Sequence, residues 1–352
     1  MKKLFTSIRV GDLALKNRMV MAPMTRSRAD GAGVPEDIVA TYYAQRAGAG
    51  LIISEGTAPS AIGKGYLNTP GIYSDEQVRA WKKVTDAVHE QGGLIFLQAM
   101  HTGRIAHESL IPAGQQPVAP SAIRANGQIF TADGMKDFAA PRALALEEIP
   151  GVIDEYRNAT RLALQAGFDG VELHAASGYL PEQFLSSGSN QRTDVYGGSV
   201  QNRARFVLDA LKAMIEVAGS GRVGMKISPE MNFNDVHDDN PRETYTYLVD
   251  QLKGLNLAYL HVALFGTPTD YHGMLRPRFE GAYLAGGGLT QESAEALLQE
   301  GKADAVVFGS AFLANPDLPK RFLVGAPLNV PDKATFYSPG AKGYTDYPSL
   351  AR

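Results

Sequence analysis

Short apolar runs alternate with longer amphipathic stretches along almost the whole chain. The runs fall at 17–23, 51–55, 94–98, 170–174, 223–227, 258–262, 282–285 and 305–309, flanked by glycine, proline or polar residues. Apolar runs this short, bounded by turn signals, predict fully buried parallel strands. Between them apolar positions return at helical spacing. Residues 75–91 place Trp81, Val84 and Val88 on one face and stop at Gly92 and Gly93. Further helices are predicted over 149–166, 199–217, 241–252 and 290–300, the last opened by Thr290 as an N-cap and ended by Gly301. Strands in alternation with helices predict a parallel sheet, and eight is the number that closes it into a (β/α)8 TIM barrel. A doubly wound open sheet is the architectural alternative.

The alternation breaks once, directly after the third strand. Residues 101–142 are rich in Gly, Pro, Ser and Ala, and connections this long are usually functional. On a barrel the segment would leave from the C-terminal mouth. It is therefore read as a capping insertion, with residues 1–352 forming a single domain.

Composition narrows the function by exclusion. A net charge of −3 over 352 residues offers no electrostatic footprint for nucleic acid or an anionic membrane. The absence of cysteine removes disulfides, thiolate nucleophiles and thiolate metal sites. The basic start, Lys2-Lys3-Leu4-Phe5, lacks the apolar run of about 7–15 residues of a signal peptide, and no stretch approaches the roughly 18 apolar residues of a membrane span. The expectation is a cytoplasmic protein, monomer or homodimer, with small-molecule partners and no nucleic-acid or membrane partner.

The strand ends carry the candidate chemistry. They read Pro23-Met24-Thr25-Arg26, Ser54-Glu55-Gly56-Thr57, Gln98 with His101, His174 with Ser177 and Tyr179, Lys226, Gly286-Gly287-Gly288, and Gly309-Ser310. On a barrel these converge on one mouth, where sites of this fold lie. Glycine loops after strands seven and eight let backbone N–H groups approach a phosphate, although such glycines also serve plain tight turns. Other motifs are weak. Gly48-Ala49-Gly50 precedes a strand, so it is not a dinucleotide turn. His101 and His107 lack the partners of a metal site, and none is expected.

Several separated blocks together resemble the old yellow enzymes, FMN-dependent ene-reductases, and among them the bacterial pentaerythritol tetranitrate and N-ethylmaleimide reductases. The densest runs from 166 to 206 and includes Gly167-Phe168-Asp169-Gly170-Val171-Glu172-Leu173-His174, Gln183-Phe184-Leu185, Ser189-Asn190-Gln191-Arg192 and Asn202-Arg203-Ala204-Arg205-Phe206. His101-Thr102-Gly103-Arg104, Ala314-Asn315-Pro316-Asp317 and Gly343-Tyr344-Thr345-Asp346 match as well. The resemblance implies non-covalent FMN at the barrel mouth, reduced by NADPH or NADH, and reduction of an enone-type alkene, with nitro compounds or nitrate esters as further substrates. By position, Pro23, Met24, Thr25, Gly56 and Gln98 would contact the isoalloxazine and Lys226 its N1 and C2 carbonyl. Gly287, Gly288, Gly309 and Ser310 would hold the phosphate. His174 and Ser177 would polarise the substrate oxygen, Tyr179 would protonate the α-carbon, and Tyr66, Met100, Asn234 and Tyr337 would line the substrate cavity.

Four positions depart from the family pattern. Ser177 stands where the family has Asn or His, Lys226 and Ser310 where it usually has Arg, and Met100 where it usually has an aromatic residue. Three of these weaken polar contacts to flavin or substrate, and the fourth widens the pocket. Two rival readings therefore stand beside the ene-reductase: the same barrel used mainly for isomerisation, and a flavin-poor or flavin-free barrel that binds ligands without turnover.

Overall fold

In the computed structural model, which describes residues 2–351, eight parallel strands close on one another. They are β1 (Met19–Met21), β2 (Leu51–Ile53), β3 (Ile95–Ala99), β4 (Gly170–His174), β5 (Val223–Ile227), β6 (Tyr259–Ala263), β7 (Ala282–Gly286) and β8 (Ala305–Phe308). The pairing Val306↔Met19 and Val307↔Val20 joins β8 back to β1, which excludes the open sheet. Around the barrel run α1 (Asp37–Ala44), α2 (Asp75–Glu90), α3 (Ile149–Gln165), α4 (Val200–Ala218), α5 (Pro241–Gln251), α6 (Tyr271–Leu275), α7 (Gln291–Gln299) and α8 (Leu318–Val324).

The five helices predicted from periodicity lie within one residue of their observed ends. Local chemistry explains this precision. Ser74 caps α2 by accepting from the Gln77 N–H, and Thr290 caps α7 by accepting from the Ser293 N–H. Past α7, Gly301 takes the positive φ (+70°) of a helix stop. Helix α1 was not predicted. Its eight residues bury Val39, Tyr42 and Tyr43, too short a face to stand out as a period.

The strands are buried on both sides, but not uniformly. Side chains alternate between the helix layer and the barrel interior. Met19, Ile52, Leu97, Val171, Met225 and Leu260 pack outward against the helices, whereas Val20, Leu51, Ile53, Phe96, Tyr259, Leu284 and Val307 fill the lower interior. Two inward positions are glycine because aromatic rings already occupy the space. A Cβ on Gly170 would lie 2.3 Å from Phe96, and one on Gly224 2.3 Å from Tyr259.

An antiparallel hairpin, Ile8–Val10 with Leu13–Leu15, adds Val10 and Leu15 to this interior cluster. Its turn uses Gly11 at φ +53°, where a Cβ would meet the Gly221 carbonyl oxygen at 2.1 Å. Strands of three residues left no periodic signal. The segment after β3 also carries structure of its own. Val118–Ala119 pairs with Arg142–Ala143, and Gln128–Thr131 forms a hairpin with Gly134–Asp137. Arg104 ties it down by donating to the carbonyl oxygens of Asp235 (2.6 Å) and Ile123 (3.3 Å). No helix among the described residues is long and apolar enough to cross a membrane.

Candidate active site

The alternation that fills the lower barrel with apolar groups fills its upper interior with polar ones. Gln98 on β3 and Glu172 on β4 meet there, Gln98 Nε2 donating to Glu172 Oε1 at 2.7 Å. His261 on β6 places Nδ1 3.1 Å from Glu172 Oε2. Lys226 on β5 has no ion-pair partner among the described residues. Burial pulls its pKa below the ordinary lysine value, against an upward pull from Glu172 and Glu182.

Above this layer opens a cavity of about 470 Å³ lined by Pro23, Met24, Thr25, Lys226, His261, Gly287, Gly288, Gly309 and Ser310. Two of its glycines are structurally required. Gly287 has φ +110°, and a Cβ there would lie 1.8 Å from the Leu264 carbonyl oxygen. Gly288 has φ +67°, a conformation costly for other residues.

A second cavity, of about 660 Å³, shares Thr25 and Tyr337 with the first. Tyr66, Ile129, Phe130, Phe138, Tyr179, Phe233 and Asn234 line it, and no charged side chain among the described residues does. The segment carrying Tyr337 is clamped to the barrel by buried arginines. Arg28 donates to the carbonyl oxygens of Phe336 (2.8 Å) and Thr335 (3.0 Å), and Arg26 to that of Gly343 (2.8 Å).

Tyr179 caps the short helix Leu180–Leu185. Its hydroxyl shares a 3.0 Å hydrogen bond with that of Tyr66, and its ring meets His174 edge-on at 4.9 Å between centroids. Burial, reinforced by Tyr66, raises the Tyr179 pKa well above the ordinary tyrosine value. Burial, Lys226 and His261 together hold His174 well below the ordinary histidine value. At neutral pH the pair is therefore a neutral phenol and a neutral imidazole. His174 Nδ1 is buried with no hydrogen-bond partner among the described residues.

Not every expected residue reaches a cavity wall. Gln98 and His174 lie buried at the floor. Met100 packs in a buried cluster with Tyr179, Ile129 and Phe138 and presses against Gly56, whose Cβ would meet its sulfur at 2.4 Å. Ser177 points elsewhere: its hydroxyl lies 3.7 Å from Met231 Sδ, while its carbonyl accepts from Asn234 Nδ2 at 2.8 Å. Its backbone is left-handed, φ +59°, a conformation in which Asn and His are enriched. Those are the residues that the resemblance leads one to expect here.

Glu172 and His261 were missed as site residues. Their signal was available, since each is an ionisable residue inside a short apolar run that strand alternation turns inward.

A closed parallel barrel with its polar residues gathered at the C-terminal ends of the strands is a (β/α)8 enzyme architecture. Residues 3–329 match the NADH:flavin oxidoreductase / NADH oxidase family. Morphinone reductase, solved with tetrahydroNAD, superposes with a TM-score of 0.96 at 47% identity over 100% of this chain and 98% of its own. An old yellow enzyme homologue from Zymomonas mobilis gives 0.96 at 43% identity over 99% and 100%. A probable flavin mononucleotide-dependent alkene reductase of Leishmania infantum is 45% identical over 97% of this chain and 96% of its own. The chain belongs to this family of flavin oxidoreductases, the old yellow enzymes.

The first cavity fits flavin mononucleotide. Its volume lies within the range of roughly 300–1,000 Å³ usual for such sites. It offers a cation at Lys226, without an ion-pair partner among the described residues, and glycine turns whose N–H groups an anion can approach.

Proposed function

We propose that the protein is an FMN-dependent ene-reductase that takes electrons from NADH or NADPH and reduces alkenes activated by a carbonyl or nitro group. When bound, FMN supplies the two-electron carrier between nicotinamide and alkene. Pro23, Met24, Thr25, Gly56 and Gln98 would surround its ring system, and Lys226 would neutralise charge at the pyrimidine end. Gly287, Gly288, Gly309 and Ser310 would hold the phosphate through backbone N–H groups and one hydroxyl.

The observation that carries this reading is the placement of Tyr179 and His174. Tyr179 lines the large uncharged cavity, and His174 lies buried against its ring. His174, neutral and short of a partner, donates to the substrate oxygen and polarises the alkene. Tyr179 gives its proton to the α-carbon as the β-carbon is reduced. Its oxygen can accept from Tyr66, which turns its own O–H toward the cavity. Tyr66, Asn234 and Tyr337 shape the substrate space. Met100 supports Tyr179 from behind, and the direction of the Ser177 hydroxyl leaves His174 as the principal oxygen ligand. The segment 101–142 caps the site through Ile129 and Phe138. The flavin-free alternative lacks support, since the chain belongs to a flavin oxidoreductase family. With a net charge of −3, a cytoplasmic monomer or homodimer without nucleic-acid partners fits best.

The test is direct. Purified protein should carry the visible absorbance of bound flavin, bleach with NADH or NADPH without oxygen, and recover on adding 2-cyclohexenone with cyclohexanone as product. Recovery without saturated product, or no flavin binding at all, would refute the proposal.

A further inference from the structure

The polar layer inside the barrel contains a carboxylate to which the reading above gives no task. Glu172 lies mid-strand on β4, its side chain wholly shielded from solvent. A charged group is not tolerated in such a place unless it is partnered. Its partners are Gln98 Nε2 at 2.7 Å and His261 Nδ1 at 3.1 Å. Lys226 lies on the neighbouring strand, where Glu172 and Glu182 both pull its pKa upward.

We propose that Glu172 is a positioning residue for the flavin site, fixing the orientation of the Gln98 amide and the His261 ring. This rests on the flavin reading above. The argument is one of hydrogen-bond polarity. A carboxylate only accepts, so both neighbours must donate to it. Gln98 therefore commits an N–H to Glu172, and flipping its amide would set one acceptor against another. His261 must carry its proton on Nδ1, which leaves Nε2 as a bare acceptor on the cavity side, 3.1 Å from where a Cβ on Gly286 would lie. The floor of the cavity then shows one donor–acceptor pattern instead of several.

Glutamine at position 172 breaks this arrangement while keeping the shape. Its amide offers one accepting oxygen and one donating nitrogen to two donors. With the amide oxygen facing Gln98, that bond survives only as a weaker neutral one, and the bond to His261 survives only if its proton moves to Nε2, which turns the acceptor on the cavity side into a donor.

The experiment is titration of apoprotein with FMN, read by quenching of flavin fluorescence. Glu172→Gln should weaken FMN binding about tenfold or more, the size of one charged hydrogen bond. Gln98→Ala should weaken it as well. Because Glu172 acts in part through Gln98, the loss in the double variant should fall short of the product of the single losses by about threefold or more. A glutamate that influences the flavin site independently of Gln98 would give simple multiplication. Unchanged affinity in Glu172→Gln, or simple multiplication, overturns the proposal. Should Glu172→Gln fail to fold by circular dichroism, Glu172→Asp serves instead. It keeps the charge but retracts from both partners, so wild-type affinity there would also overturn the proposal. A wild-type protein that binds no FMN would sink the cofactor reading itself, whereas wild-type binding with an indifferent Glu172→Gln sinks only the role of Glu172.

Discussion

Replacing Tyr179 by phenylalanine removes one oxygen and leaves the ring. The ring keeps its edge-on contact with His174 at 4.9 Å and its place in the buried cluster with Met100, Ile129 and Phe138. The lost hydroxyl takes with it the 3.0 Å hydrogen bond to Tyr66. Tyr66 faces the cavity and can find water, so the stability cost should be about 1 kcal/mol. Flavin reduction by NADH or NADPH requires no proton from Tyr179 and should proceed at nearly the wild-type rate. Reoxidation by an enone should slow by about 10²–10⁴, the usual size of a general-acid contribution. Burial holds the Tyr179 pKa well above the ordinary tyrosine value, so the wild-type rate should show no tyrosine ionisation between about pH 6 and 9. His174→Ala should behave differently, weakening the binding of carbonyl ligands as well as slowing reoxidation. Anaerobic stopped-flow absorbance resolves the two half-reactions. An unchanged reoxidation rate in Tyr179→Phe, with chemistry limiting, would refute Tyr179 as the proton donor.

Three further outcomes can be checked. Ser310 is exposed beside the Gly309 turn, so Ser310→Arg should add a charged phosphate contact and tighten FMN by about tenfold or more in apoprotein titration; equal affinity would show that another group already fills that role. Met100 is buried against Gly56 and Tyr179, so Met100→Trp should overpack the site and lower stability by about 1–3 kcal/mol. Turnover of small and bulky enones should then fall alike, and selective loss of bulky ones would restore Met100 as a gate. Burial raises the Glu55 pKa to about 7, while its carboxylate accepts from the Arg26 N–H at 3.0 Å. A carboxyl with a raised folded-state pKa stabilises the fold at low pH, and that contribution is lost as pH rises through about 7. The unfolding midpoint of Glu55→Gln, compared with wild type, should therefore improve from pH 5 to pH 8. A difference independent of pH would contradict this.

Most of the scaffold was legible because its signals are local. Eight apolar runs, caps such as Thr290 and stops such as Gly301 and Gly92 depend on residues a few positions apart, and they placed the strands and five helices. Separated sequence blocks also marked the family. Local signals fail where an element is short or where its stability comes from distant contacts. Helix α1 and the hairpin that contributes Val10 and Leu15 to the barrel interior are of this kind.

The site divides along the same line. Which residues end the strands could be read from the chain, and so could the glycines at 287, 288 and 309. Which side chains face one another could not. Glu172 meets Gln98 and His261 across 74 and 89 residues of sequence, and an ionisable residue inside an apolar run marks a candidate without showing what it meets. Barrel closure decides that, because it sends alternate side chains of every strand into one shared interior. The same closure buried Met100 behind Tyr179 rather than on the cavity wall, and the left-handed backbone at Ser177 carried its hydroxyl away from His174. Residue type and spacing limit what a position can do. The direction of a side chain depends on its packing against residues far away in the chain, and only the tertiary structure supplies that.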